Sequence, residues 1–136
     1  MFFLRSFCGK YLDVYEGSTD DGTPIIQWEF NGNTNQKWII IPSDEEEENM
    51  FNPHQDYIIT SALDRNLALD ISQDPNNQGQ MIIWDRHGQM NQKFKIQRRS
   101  GKHLILAFNG ATMEVRGGAY DDGAEVFMSY PDNIQN

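Results

Sequence analysis

Residues 11–38 read YLDVYEGSTDDGTPIIQWEFNGNTNQKW, and residues 67–94 read LALDISQDPNNQGQMIIWDRHGQMNQKF. The second stretch repeats the first. Both hold an Asp after Leu (Asp13, Asp70), a Trp closing an Ile-containing run (Trp28, Trp84), and Asn-Gln-Lys-aromatic (Asn35 to Trp38, Asn91 to Phe94). The Trp-to-Asn spacing is seven residues in both copies. A fainter third copy, ATMEVRGGAYDDGAEVFMSYPDNIQN, aligns YDDG with STDDG and sets Glu114 at the Asp13 position. The same register puts Ser129 where the Trp would stand and Asn136 at the Asn35 position. A repeat of this kind dictates the architecture, because each copy is one supersecondary unit that buries its apolar face only against its neighbours.

Around these phrases the chain reads as strands. FFLRSF, YLDVY, PIIQWEF and KWIIIP are short, rich in β-branched and aromatic residues, and separated by Gly, Asn and Asp. DYIITSA, LALDI, MIIWD and KFKIQ follow in the second copy, and HLILAF, TMEV and EVFMSY in the third. Glycines 9, 22, 32, 88, 101, 110 and 123 fall in the gaps, where positive φ costs them little. No stretch shows helical periodicity. Four strands per copy and three copies (about 1–43, 56–98 and 101–136) predict one closed all-β domain over residues 1–136, with pseudo-threefold symmetry and hidden strand edges. The spare length between the first two copies lies around SDEEEENMFNP.

Composition narrows the function. Eleven Lys+Arg against 20 Asp+Glu give a net charge of −9, which repels phosphate backbones and anionic bilayers. Nucleic acid and membrane insertion are therefore not expected. The single Cys8 allows no internal disulfide, and the N-terminus lacks the apolar core and cleavage site of a signal peptide. No run reaches the ~18 apolar residues of a membrane span. The expected location is cytoplasmic, or secreted without a leader.

The phrase Leu-Asp-Val, then Gly-Thr-Pro-Ile-x-x-Trp, then Asn-Gln-x-Trp resembles the ricin B-type β-trefoil lectins, whose repeat ends in Gln-x-Trp. Gln36-Lys37-Trp38 carries that signature, and Gln92-Lys93-Phe94 carries it with Phe for Trp. The resemblance covers nearly the whole chain and implies a β-trefoil that binds glycans or glycoconjugates without cofactor or metal. In the first unit it implies a site of Asp13, Trp28 and Asn35, with Gln36 as support or contact. In the second it implies Asp70, Trp84 and Asn91, with Gln92 alongside. The logic is physical: an ionised carboxylate accepts two hydroxyl donors at once, an amide adds to it, and a flat indole takes the C–H face of the ring. A galactose-type ligand is among those implied, although Ile26 and Ile82 stand where some relatives use Gln. The third unit, with Glu114, Ser129 at the Trp position and an adjacent Tyr130 that should face the other way on an alternating strand, is expected to be weak or dead. Two departures stand out: relatives with a disulfide in each repeat differ from this chain, and the third Gln-x-Trp with its closing strand is absent up to Asn136. A partner domain or chain is a candidate source of that strand.

Other readings compete at several residues. Asp13 and Asp70 could be turn residues, and Trp28 and Trp84 could be core, because strands of a small barrel can be apolar on both faces. Trp38 and Phe94 read as core. The Asp44–Glu48 run reads as a solvated loop, since consecutive carboxylates do not converge on one ion. His54, His87 and His103 show no ligand spacing, although His87 and Phe30 are placed to line a site rim. Cys8 has no positioned base. Acids that recur by symmetry face different directions and cannot flank one glycosidic bond, so no enzyme is expected. The alternative is a β-trefoil protein-interaction module, such as a protease inhibitor or scaffold subunit, working through a loop such as 43–56. Exposure of Trp28 and Trp84 separates the two readings.

Overall fold

The structure, a computed structural model, describes residues 1–42 and 52–129. Ten strands follow in order: β1 (Tyr11–Val14), β2 (Ile25–Trp28), β3 (Trp38–Pro42), β4 (Tyr57–Ser61), β5 (Asp64–Ile71), β6 (Met81–Asp85), β7 (Lys95–Arg99), β8 (Lys102–Leu106), β9 (Thr112–Val115) and β10 (Val126–Ser129). The only helical segments among the described residues are single 3₁₀ turns. Strands β3 to β6 form one antiparallel sheet, β7 to β10 a second, and β1 pairs with β2. The predicted first strand, FFLRSF, is not a continuous strand. It touches its neighbours through isolated bridges, Phe2 to Trp38 and Arg5 to Tyr11.

Each lobe ends in a hairpin with one face inward. On β1 and β2 the buried Leu12, Val14, Ile25 and Gln27 point inward. Tyr11 opposite Trp28 and Asp13 opposite Ile26 share the outer face. The second lobe repeats this with Ala68 opposite Trp84 and Asp70 opposite Ile82. The third sets Thr112 opposite Ser129 and Glu114 opposite Phe127. One bridge ties each pair of lobes at these hairpins: Pro24 to Ile82, Ile26 to Glu125, and Gln80 to Phe127.

The core gathers Leu12, Val14, Ile25, Trp38, Ile59, Leu69, Met81, Ile83, Phe94 and Val126 at the centre. Trp38 and Phe94 have no exposed surface, and truncating either would cost on the order of 3–5 kcal/mol. The Trp38 indole N–H donates to the Leu12 carbonyl at 3.2 Å, so its one polar atom is satisfied. The Asp44–Glu48 run, Tyr130, Asn136 and the expected absence of a third closing strand lie outside the described residues.

Candidate functional site

The site in the first lobe is assembled by two short segments. Asp13 lies near the end of β1, and Asn35 and Gln36 sit on the single 3₁₀ turn Thr34–Gln36 just before β3. Asn35 Nδ2 donates to Asp13 Oδ1 at 2.9 Å, and Gln36 Nε2 donates to Asp13 Oδ2 at 2.9 Å. Gln36 also donates to the Glu29 carbonyl at 2.8 Å and accepts from the Asn31 N–H at 3.0 Å. Gln36 has no exposed surface. Through these bonds it ties the 29–36 loop to the carboxylate.

The second lobe reproduces the arrangement. Asn91 Nδ2 and Gln92 Nε2 each reach Asp70 at 2.8 Å. Buried Gln92 also donates to the Asp85 carbonyl at 2.9 Å and accepts from the N–H groups of His87 and Gly88. Here His87 also stands beside the carboxylate, with Nε2 3.5 Å from Asp70 Oδ2. Its Nδ1 accepts from the Gln89 N–H at 2.9 Å, which leaves the proton of a neutral ring on Nε2. In the first lobe Asn31 takes that position, with its Oδ1 accepting from the Asn33 N–H at 2.8 Å.

Burial pushes both carboxyls above the ordinary Asp range, and the amide donors pull the other way. Each carboxylate oxygen has two lone-pair directions, so the amides leave acceptor capacity unused. The remaining sequence-predicted residues, Trp28 and Trp84, stand on the same outer face as Asp13 and Asp70 and are 42% and 41% exposed. Asn35 and Asn91 are half-buried beside their carboxylates. In the third lobe Glu114 is exposed and Ser129 takes the Trp position.

One component escaped the sequence reading. Each Trp is set against the Asp-Asp-Gly turn of a neighbouring lobe. A Cβ built at Gly123 would lie 3.8 Å from the Trp28 ring, and one at Gly22 would lie 3.7 Å from the Trp84 ring. The second Asp of each turn accepts the N–H following the Trp: Asp122 from Glu29 at 3.0 Å and Asp21 from Asp85 at 2.9 Å. Lys10 pairs with Asp122 at 2.7 Å. The signal was present as the recurrence of STDDG and YDDG, which served only to align the copies. Among the described residues no group of three or more His, Cys, Asp or Glu could hold a metal ion, and no helix is long and apolar enough to cross a membrane.

Residues 4–60 match the family described as ricin-type β-trefoil lectin domain-like. The fold agrees over nearly the entire chain with ThreeFoil, a designed threefold-symmetric protein, at 25% identity and TM-score 0.76, covering 96% of this chain and 89% of that one. The chain has the β-trefoil fold. The trefoil fold is shared with the C-terminal half of the earthworm R-type lectin, crystallised with GalNAc (17% identity, TM-score 0.70, 96% of this chain and 88% of that one). It is also shared with 1,3Gal43A, an exo-β-1,3-galactanase from Clostridium thermocellum (23% identity, TM-score 0.76). This trefoil covers 96% of itself but only 27% of the galactanase chain, so the likeness is to one part of that enzyme. No curated protein sequence matches the chain.

Proposed function

We propose that this β-trefoil, residues 1–136, is a non-catalytic carbohydrate-binding module of the ricin type with one shallow site in each of its first two lobes. In each, the carboxylate (Asp13 or Asp70) accepts hydroxyl donors of the sugar. The neighbouring amide (Asn35 or Asn91) completes the polar contact, and the indole (Trp28 or Trp84) takes the C–H face. Gln36 and Gln92 hold the carboxylates in place from behind. One observation carries the reading: a buried, amide-pinned carboxylate shares a sheet face with an exposed indole, and the pair occurs twice. An exposed indole alone would also suit a protein partner; its pairing with an amide-pinned carboxylate in both lobes favours a sugar. Asp13 and Asp70 belong to separate lobes, each with its own amide, so they do not form the paired acids of a glycosidase. The GalNAc held by the earthworm lectin makes galactose-type sugars the first ligands to try.

A single shallow site of this kind binds at about millimolar, roughly −4 kcal/mol, and two on one rigid body gain apparent affinity for clustered glycans. A glycan array followed by calorimetry tests the proposal. Asp13→Ala combined with Asp70→Ala should abolish binding while the far-ultraviolet spectrum stays native. Full binding by that double variant overturns the assignment.

A further inference from the structure

The two proposed sites share their polar core, yet their surroundings differ. In the first lobe Tyr11 stands directly across from Trp28 on the outer face. Its ring meets Phe30 at 5.2 Å between centroids and Phe3 at 6.1 Å, and Phe3 meets Phe30 at 5.1 Å. Phe3 is 42% exposed and Phe30 is 56% exposed. In the second lobe the corresponding positions are Ile58, Ala68 and Arg86: Ile58 is nearly buried, Ala68 is fully buried opposite Trp84, and no aromatic ring replaces any of the three. In the third lobe Thr112 replaces Tyr11.

Three rings in edge contact, two of them well exposed, leave a patch of apolar surface in water. They adjoin the one feature on that face built to hold a ring, the Trp28 indole. Tyr11 sits at cross-strand distance from Trp28, about 5 Å between Cβ atoms for directly opposed residues. Phe30 lies just past the end of β2, and its ring contact with Tyr11 places it beside that face. The spacing between neighbouring sugars in a chain is of the same order. Flat, partly exposed aromatic faces with few polar groups favour the C–H face of a pyranose over a charged or strongly hydrated partner.

Resting on the carbohydrate reading above, we infer that Tyr11 and Phe30, braced by Phe3, form a second subsite present in the first lobe alone. It takes the next sugar ring of a glycan whose terminal ring lies at Asp13, Asn35 and Trp28. The two sites are therefore unequal: the first selects disaccharides and longer chains, whereas the second responds to the terminal sugar only.

The test isolates the first lobe with Asp70→Ala and compares matched pairs by calorimetry: galactose with lactose, N-acetylglucosamine with its β1,4-linked dimer, and mannose with α1,2-mannobiose. For the sugar that binds, the disaccharide should bind about tenfold more tightly, the worth of one additional stacked ring. Tyr11→Ala, which installs the second lobe's residue, should erase most of that gain and leave monosaccharide affinity within about twofold. Conversely, the protein carrying Asp13→Ala, which retains only the second lobe, should show no disaccharide preference. Monosaccharide binding without a disaccharide gain, or a gain that survives the exchange, overturns the subsite and leaves the carbohydrate reading standing. Absence of binding to any saccharide overturns both. Retention of the thermal midpoint by the exchanged protein separates loss of contact from loss of fold.

Discussion

Replacing Gln36 by Ala should be far more damaging than its small size suggests. The side chain is completely buried and makes three hydrogen bonds: to Asp13 Oδ2 at 2.9 Å, to the Glu29 carbonyl at 2.8 Å, and from the Asn31 N–H at 3.0 Å. Two neutral bonds at about 1 kcal/mol each and one to a carboxylate at about 2 kcal/mol give about 4 kcal/mol before any cavity cost. Asp13 would stay buried with one donor fewer, whereas Glu29 and Asn31 are exposed residues whose backbone groups water can reach, so about 4 kcal/mol is an upper figure. Against a total stability of roughly 5–15 kcal/mol, the variant would be marginal at 37 °C. Asn35→Ala removes a single bond from a half-buried group and should cost about 1 kcal/mol while weakening sugar binding. Urea denaturation of the two variants, compared at constant m, measures the contrast. A Gln36→Ala protein no less stable than Asn35→Ala would refute the claim that the buried amide supports the site from behind.

Two further outcomes are expected. Asp13 and Asp70 titrate above the ordinary Asp value of about 3.9 because burial disfavours their charged forms. Sugar affinity should therefore fall, as the solution is acidified, at a higher pH than an exposed Asp would dictate. Stability runs the other way: the contribution linked to these groups is full below the unfolded-state value and is lost as pH rises through the folded-state one. Calorimetry across pH 3.5–7 checks the first statement, and affinity that stays flat down to the ordinary Asp value would contradict it. Separately, Thr60 Oγ1 is buried without a hydrogen-bond partner among the described residues, so Thr60→Val should stabilise the protein by about 1 kcal/mol. A lowered midpoint in thermal melts would show that the hydroxyl is used.

Much of this molecule was legible from its repeats. The strand TMEV is β9, Thr112–Val115, to the residue, and the aromatics closing Asn-Gln-Lys-Trp and Asn-Gln-Lys-Phe form the centre of the core. These features are written locally: β-branched runs, turn residues and a short motif that brings an amide back to its carboxylate. What the sequence left open depends on partners far along the chain. Alternation could not say which way Trp28 faced, because β4 is buried at every position and apolar runs therefore do not report sidedness. Gln27 is a sharper case. It points into the interior where the second lobe has Ile83, and it survives there by donating to the carbonyls of Ala119 and Asp121 and accepting from Ser6. Nothing within ten residues of Gln27 announces those bonds.

The seating of Trp28 on the turn at Gly123 carries a lesson about division of labour among the three copies. The copy that has lost its own indole still buttresses its neighbour's. A lobe proposed to carry no sugar site still serves as masonry for its neighbour, so substitution at Asp122 or Gly123 would reach further than one at Ser129.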